Sequence, residues 1–566
     1  MSQPNLRIRT EVLLLAVFSG FLFFYGLGSF GLVGADEPRY AQVSREMLNR
    51  SDWVLPTLDG KPWLEKPPLY YWQAMLSYRV AQALGSAKGR NETGTGAQRG
   101  AGSEYSFMGD GVSEWTARFP SALNAVLMIS AIYFFLRRLR PGTELDGALI
   151  TASCAGVIGF AHAAATDMPL AATFTIALLA WYEWYERRSR AALGIFYLFL
   201  ALGTLAKGPI APALAGVIVL LFAACRRDGN SILRTLWLPG ILLFLVATLP
   251  WYVAVQMRDP DFFRVFILEH NFARFSSNLY HHPQPFWFYV PVFLLAAMPW
   301  TIWLIAAVVE GLRKTWRGRN EPNESFSAKN AWPLFLLVWM FVPILFFSAS
   351  QSKLPGYILP AVPAAALLVT DYLVARREAA GKTGWPLALA HGLLCGGFVF
   401  AALSAGSIAM NHHLTRGPGT YVAAALGCVI AIGITVALLT EAGPRLVRSA
   451  TMIAVIVAVA AVIRFGASAI DATQSARPVA QAIQAFSNES VPVALYHVSR
   501  IEEYGLEFYL NRPVQKYDSG EIPAQPHVLL ATPGTSSDLR TLLEGRKVSY
   551  LTGMPEQKLN MYWVGK

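Results

Sequence analysis

The stretch VLLLAVFSGFLFFYGLGSFGLVGADEPRY, residues 12–40, contains the pattern that decides the fold. A run of about twenty nearly uncharged residues ends shortly before an acidic pair, Asp36 and Glu37, which a proline and Arg39 follow. A helix needs about twenty apolar residues to cross the core of a bilayer. The pattern therefore predicts a membrane span whose end leads into a short polar surface helix.

The rest of the chain repeats this alternation of long apolar runs and short polar segments. It has 566 residues, of which 54% are hydrophobic and only 15% are charged, whereas roughly a quarter are charged in soluble globular chains. We predict a polytopic α-helical membrane protein with about thirteen spans. The spans are predicted to begin near residues 12, 116, 145, 168, 192, 209, 233, 286, 331, 357, 385, 420 and 449.

The basic residues indicate how the chain lies in the membrane. Clusters such as RRLR (137–140), ERRSR (186–190) and RKTWRGR (313–319) fall on every second loop, on the same side as Arg7 and Arg9. An excess of Arg and Lys marks cytoplasmic loops. We therefore predict a cytoplasmic amino terminus and an external carboxyl terminus. These loops also explain the formal charge of +11, so the charge does not indicate a nucleic-acid partner.

The outer loops and the last hundred residues carry most of the remaining polar sequence. The first outer loop, residues 34–115, contains a Gly- and Ser-rich stretch at 85–112 that is typical of a linker. After the last span, VPVALYHV, PHVLLAT, KVSYLTG and NMYWVG have the character of strands, and SRIEEYGLEFYL that of a helix. We predict a transmembrane domain over residues 1–469 and a small external α/β domain over residues 470–566.

The sequence ADEPRYAQVSREML predicts a short amphipathic helix at the outer membrane surface. Asp36 suits the N-cap position, and Glu37 favours the positive end of the helix dipole. Tyr40, Val43 and Met47 fall on one face of such a helix. These structural roles are enough to explain why the motif has these residues. A function therefore has to be inferred from the other outer loops as well.

Further motifs follow on those loops in a fixed order. They are DWVLPTLDGKPWLEKPPLYYW, ATDMP, TLAKGP, LEHNFARF with PQPFWFYVPV behind it, and SKLPGYILP. Together with ADEPRYAQVSREM, they resemble the polyprenyl-phosphate-sugar-dependent C-type glycosyltransferases. Within that family, the set is most similar to the aminoarabinose transferases that modify lipid A, and the protein O-mannosyltransferases are close relatives. The resemblance covers roughly the first 360 residues, and the last hundred residues match none of these motifs.

The resemblance implies an activity, a location and partners. We expect an enzyme of the bacterial inner membrane that moves a sugar, 4-amino-4-deoxy-L-arabinose, from undecaprenyl phosphate to a lipid A phosphate on the periplasmic face. It implies inversion by a single displacement. We expect a monomer whose partners are the sugar donor, a lipid or protein acceptor and membrane lipids. No cofactor is obligatory in this scheme.

The resemblance also implies roles for the polar residues. An anionic carrier phosphate needs cations and oriented donors. The residues expected to bind the carrier phosphate are Lys66 and Arg274, supported by Arg39, Tyr40, Lys207, Lys353 and Tyr357. The carboxylates expected in catalysis are Asp36, Asp167 and Glu37. A hydroxyl acceptor needs Asp36 as its base, whereas a lipid A phosphate is already ionised, and the acidic residues then bind the sugar ammonium or hold the cations.

A metal site is one of two interpretations of a further pair, Glu65 and His270. The pair is expected either to share a divalent metal ion or to form a plain hydrogen bond. Two ligands are too few for a closed structural metal site. The sequence leaves both interpretations open.

Two other classes of function fit part of the pattern. Among enzymes, the alternative is a protein O-mannosyltransferase that uses polyprenyl-phosphate mannose. From a different class, the alternative is a lipid flippase or transporter. Coupled transporters place ionisable residues in the middle of their spans. The predicted spans are almost free of such residues, with His391 as the clearest exception, and Glu183, Asp371 and Arg464 lie nearer span ends. This scarcity weighs against coupled transport.

Overall fold

The computed structural model describes residues 3–92, 111–273, 284–320, 331–379, 383–411, 413–486 and 491–565. The α-helices, numbered α1 to α23 in chain order, are Gln3–Phe24, Asp36–Asn49, Leu69–Glu92, Glu114–Leu139, Glu144–Ala152, Ala155–Ala161, Asp167–Arg187, Arg190–Lys207, Ile210–Arg226, Gly229–Thr235, Leu238–Arg258, Tyr289–Ala296, Thr301–Asn320, Ala331–Ser348, Val362–Glu378, Trp385–Leu403, Ala405–Asn411, Pro418–Leu439, Gly443–Ala461, Ala467–Gln474, Arg477–Phe486, Arg500–Leu510 and Ser536–Leu542. Two π-helical segments are Phe263–Ala273 and Val462–Gly466, and the 3-10 segments are Phe286–Phe288, Pro355–Ala361, Tyr517–Ser519 and Pro555–Gln557.

A helix or a bent pair of helices lies at each of the thirteen predicted span positions. Among the residues that the structure describes, eight helices are long and apolar enough to cross a membrane, and up to ten spans result if each of two bent pairs is one span. The chain is therefore a multi-pass membrane protein. The described residues support fewer spans than the thirteen predicted, because α9 is a shorter apolar helix and neither α1 nor α7, which ends in a run of Trp, Tyr and Glu, is among the qualifying helices.

The helix α7 lies at the centre of the bundle. Its residues 168–184 are buried without a break, as expected for a helix that is apolar on all sides. Near its end, the rings of Trp181 and Tyr182 lie 5.6 and 4.7 Å from the ring of Phe335. Because neighbours enclose α7 along residues 168–184, its first residue, Asp167, has a fixed position.

The last part of the chain forms a five-stranded sheet. The strands, numbered β1 to β7, are Thr57–Leu58 and Lys61–Pro62 in a separate hairpin, then Val493–Tyr496, Gln515–Lys516, His527–Ala531, Val548–Met554 and Leu559–Val564. The sheet order is β4-β3-β5-β7-β6, with β3 parallel to β4 and β5, and β7 antiparallel to β5 and β6. The four predicted strands and the predicted helix, α22, are confirmed. Strand β4 has two residues, which is too short for an alternating pattern.

Candidate active site

A cavity of about 620 Å³ brings most of the predicted site residues together. Its volume lies within the usual range for small-molecule sites. The predicted residues in its lining are Asp36, Arg39, Tyr40, Glu65, Lys66, Asp167, Lys207, His270 and Tyr357. Its apolar lining includes residues that the sequence analysis did not single out, namely Phe160, Leu170, Phe266, Phe346, Phe347 and Leu354. Each of these residues lies within or a few residues from one of the polar motifs, and this closeness is the signal in the sequence that could have found them.

Asp36 is the first residue of α2 and not its cap. The cap position belongs to Ala35, which makes no side-chain hydrogen bond to the helix. The prediction of Asp36 as N-cap is therefore wrong by one residue, because Arg39 binds its carboxylate in place of the backbone amides. The Asp36 side chain is 52% exposed, so its carboxylate remains accessible from the cavity. The predicted apolar face is confirmed, since Tyr40, Val43 and Met47 are buried.

Arg39 and Tyr40 form the part of the lining that follows Asp36. Burial acts against the charge of Arg39, but the nearby Tyr40 and Asp36 outweigh it, so the pKa of Arg39 lies above its ordinary value. Burial, reinforced by the Asp36 carboxylate, raises the pKa of Tyr40 well above its ordinary value. At neutral pH the cavity therefore holds a permanent cation beside a neutral phenol, which can donate a hydrogen bond.

Glu37 lies next to Asp36 in sequence but belongs to the interior. Its carboxylate accepts hydrogen bonds from the backbone amides of Val33 and Ala164, both at 2.7 Å. It also pairs with Arg118, whose side chain is fully buried, at 3.3 and 2.7 Å. Arg118 in turn donates to the carbonyl oxygens of residues 27, 30 and 31. Glu37 is not part of the cavity lining, and its contacts indicate that it fixes the segment before α2.

Asp167 and Lys207 form a second ion pair in the cavity. The two residues begin α7 and end α8, and Lys207 Nζ lies 2.5 Å from Asp167 Oδ1. The ammonium also lies 4.9 Å from the centroid of the Tyr357 ring. Gly356 comes so close to this pair that an added Cβ atom would lie 2.5 Å from Asp167 Oδ1. The sequence SKLPGYILP therefore contributes a glycine as well as the predicted tyrosine.

Lys66, Glu65 and His270 line another part of the cavity. Lys66 Nζ donates to the backbone oxygen of Glu65 at 3.1 Å. His270 Nε2 and Glu65 Oε1 are 3.9 Å apart, which is longer than a hydrogen bond. Among the described residues, no group of three or more His, Cys, Asp or Glu side chains is arranged to hold a metal ion. Arg274 lies outside the described residues.

Lys353 is placed differently from the other predicted cations. Its side chain is buried, and Nζ donates to the backbone oxygen of Ser350 at 2.5 Å. Ser350 and Leu354 line the cavity, but Lys353 is not part of the lining. Its ammonium therefore closes the turn that carries SKLPGYILP, which differs from the predicted role of binding the carrier phosphate directly.

The segment that leads to Asp36 is held by residues from the far end of the chain. The backbone amide of Gly31 donates to Asp471 Oδ1 at 2.8 Å, and that of Leu32 donates to the hydroxyl of Tyr509 at the same distance. The amide of Gly34 donates to the backbone oxygen of Gln474 at 3.1 Å. The carboxyl-terminal part of the chain thus contributes directly to the position of α2.

The fold defined by these elements is similar to that of two solved structures. It is similar to the crystal structure of ArnT from Cupriavidus metallidurans bound to undecaprenyl phosphate, with a TM-score of 0.73, 21% identity, and coverage of 98% of this chain and 97% of that one. The structure of the same ArnT in the apo state gives a TM-score of 0.71. The predicted fold class is confirmed.

The sequence is also similar to proteins from several bacteria. It is 33% identical over 407 residues to the undecaprenyl phosphate-alpha-4-amino-4-deoxy-L-arabinose arabinosyl transferase of Pseudomonas paraeruginosa. The alignment covers 70% of this chain and 65% of that relative. The Serratia proteamaculans protein of the same name is 29% identical over 395 residues, covering 68% of this chain and 63% of that relative. A family model described as dolichyl-phosphate-mannose-protein mannosyltransferase matches residues 106–253. The resemblance inferred from the motifs is confirmed.

Proposed function

We propose that this protein is an integral-membrane glycosyltransferase that moves 4-amino-4-deoxy-L-arabinose from undecaprenyl phosphate to a phosphate of lipid A. The observation that carries the proposal is the cavity, in which three cations and three carboxylates meet an apolar lining. Such a lining suits the prenyl chain of a lipid-borne donor, and the cations suit its phosphate. The names of the relatives and the ligand of the similar structure support this choice of donor.

The cations stabilise the carrier phosphate as the sugar leaves. Negative charge grows on that phosphate during the displacement, and donors that are already in place lower the free energy of the transition state. Arg39, Lys66 and Lys207 line the cavity. Arg39 can bind two phosphate oxygens at once, whereas each lysine acts as a point charge. Arg274 is proposed as a further cation at this phosphate.

The carboxylates hold these cations and bind the sugar. Asp36 pairs with Arg39, and Asp167 pairs with Lys207, so each acid keeps a cation close to the cavity before the donor arrives. A lipid A phosphate is ionised at neutral pH and attacks the sugar without a base. The accessible carboxylate of Asp36 is then free to bind the ammonium of aminoarabinose as well. A single displacement inverts the sugar and forms no covalent intermediate with the protein.

The pair Glu65 and His270 borders this site. Its two side chains offer only two donors for a metal ion, and no step of the proposed reaction depends on one. We propose that they orient the loop that carries Lys66, since Lys66 Nζ binds the backbone oxygen of Glu65.

Mass spectrometry of lipid A tests the proposed function directly. Lipid A from cells with the protein is expected to carry one added aminopentose, which is missing from cells without it. Asp36→Asn is expected to remove this product while the protein remains folded in the membrane, because asparagine keeps the shape and loses the charge. Unchanged lipid A in both strains would rule out the proposed acceptor.

A polyprenyl-phosphate-mannose protein O-mannosyltransferase is the second candidate. The family model that matches residues 106–253 favours it, since its description names such an activity. Purified protein offered both donors separates the two candidates, because only the accepted donor releases its carrier phosphate. A flippase predicts that neither donor is consumed although lipid crosses the bilayer.

The proposed reaction requires the cavity to face the periplasm. We propose that the protein lies in the bacterial inner membrane as a monomer, with its amino terminus in the cytoplasm and its sheet domain in the periplasm. Reporter fusions at residues 140 and 318 are expected to report the cytoplasm, and a fusion at the carboxyl terminus the periplasm. A cytoplasmic carboxyl terminus would place the cavity on the wrong side for lipid A.

A further inference from the structure

Arg39 is enclosed by aromatic rings from three separate parts of the chain. Tyr40 follows it in α2, Trp63 lies just behind β2 in the first outer loop, and Tyr504 lies on α22 in the external domain. The guanidinium carbon of Arg39 is 4.9 Å from the ring centroid of Trp63 and 5.3 Å from those of Tyr40 and Tyr504. Cation–π attraction acts at these distances. The rings therefore contribute to where the guanidinium lies.

Hydrogen bonds alone do not fix the orientation of Arg39. Its Nη2 atom donates to the half-exposed carboxylate of Asp36, and an ion pair with an exposed partner is weak. Its Nε atom is buried and meets no hydrogen-bond acceptor among the residues that the structure describes. The ring faces of Trp63 and Tyr504 are thus needed to hold the plane of the guanidinium.

The position of Tyr504 is set by the docking of α22 on α2. The side chain of Arg45, fully buried in α2, donates to the backbone oxygen of Phe508 at 2.8 Å and to Asn511 Oδ1 at 3.1 Å. Its guanidinium carbon also lies 4.4 Å from the centroid of the Phe508 ring. Phe508 lies one helical turn after Tyr504, on the same face of α22. The docking of Phe508 therefore brings Tyr504 to Arg39.

We propose that Tyr504 is a positioning residue, which holds the Arg39 guanidinium in the orientation that meets the carrier phosphate of the donor. The inference rests on the proposed function, because Arg39 has this task only if an anionic carrier enters the cavity. Tyr504 is not part of the cavity lining, so it acts through Arg39. The external domain, which no sequence motif connected with the reaction, then takes part in the transfer step.

Three changes at position 504 test this role in the purified full-length protein. Tyr504→Leu is expected to lower kcat for transfer about tenfold, with a smaller change in donor KM, because Arg39 loses one ring face. Tyr504→Phe keeps the ring and is expected to stay within about twofold of the parent. A fluorinated phenylalanine at 504 keeps the shape but weakens the ring quadrupole, and is expected to lower kcat as leucine does. Tyr550→Leu, an exposed tyrosine of the same domain, is the matched control.

A double-mutant cycle with Arg39→Ala separates positioning from a purely structural role. Tyr504→Leu is expected to have no further effect on kcat when Arg39 is already removed. An equal loss in both backgrounds, or full activity of the fluorinated variant, overturns the proposed role of Tyr504. Binding of undecaprenyl phosphate and transfer by the parent protein are measured beside the cycle. A parent that neither binds nor transfers overturns the proposed function, and this inference with it.

Discussion

Glu37→Gln is expected to destabilise the folded protein, because it removes one partner of a buried ion pair. The carboxylate of Glu37 accepts from two backbone amides and from two nitrogens of Arg118. Glutamine has only one side-chain oxygen to accept hydrogen bonds, and its NH2 group faces N–H donors that need an acceptor. Arg118 stays charged and fully buried with only backbone carbonyls to bind. Breaking a buried pair in this way costs about 3–5 kcal/mol.

Asp36→Asn is the matched control, since it makes the same change of charge one residue earlier. The Asp36 side chain is half exposed, so loss of its ion pair costs about 1 kcal/mol or less. Thermal unfolding of both purified variants in detergent, followed by tryptophan fluorescence, measures the difference. Glu37→Gln is expected to unfold at a clearly lower temperature, and Asp36→Asn near the parent Tm but without transfer activity. If Glu37→Gln has the parent Tm and lacks transfer, Glu37 acts in the chemistry and the structural interpretation is wrong.

Three further predictions concern other parts of the molecule. Lys66→Ala is expected to reduce transfer by the purified protein roughly a hundredfold at unchanged Tm, on the scale of a lost oxyanion donor. Lys61 is exposed, and Lys61→Ala is expected to leave transfer unchanged. A small loss of activity in Lys66→Ala removes Lys66 from the phosphate site. Gly356→Ala is expected to lower transfer more than about tenfold, because the added methyl group displaces the Asp167 carboxylate. Gly159→Ala adds a methyl group in open space and serves as the control. Equal activity of the two variants contradicts this geometry. Burial raises the pKa of Glu507 to about 9, so the folded state keeps a proton that the unfolded state releases. The Tm of the parent is therefore expected to decrease as the pH rises from about 5 to about 9. Glu507→Gln is expected to flatten this pH profile, and an unchanged slope contradicts the assignment.

The positions of the helices followed from the sequence because apolar runs report burial in the membrane or in the core. The strands near the carboxyl terminus followed from short runs rich in Val, Leu and Tyr, which are a local property as well. The number of spans did not follow, since the central helix α7 is buried by protein neighbours along residues 168–184 and its aromatic end does not need to be strongly apolar. Hydropathy cannot distinguish a helix that is buried in lipid from one that is buried by other helices of the protein.

The candidate site was predictable as a set of residues but not as a set of pairs. The motifs named most of the charged residues that line the cavity. They did not indicate that Glu37 binds Arg118, because packing between distant segments chooses that partner. They also did not indicate that Lys353 folds back onto Ser350 in its own turn, because a cation in an outer-loop motif was expected to face the carrier phosphate. Adjacent acids in ADEPRY therefore have opposite surroundings, with Asp36 accessible and Glu37 buried.

The contacts that tie the segment before α2 to the carboxyl-terminal part of the chain also constrain how the protein is made. Gly31 donates to a side chain 440 residues further along, and Leu32 to one 477 residues further along. At about 5–20 residues per second, a ribosome needs roughly 20–90 seconds to add the 440 residues in between. During that interval the ADEPRY segment has been synthesised but lacks these partners. A chain truncated before Asp471 lacks the acceptors of Gly31 and Leu32, so the segment that leads to α2 gains these contacts only when synthesis is nearly complete.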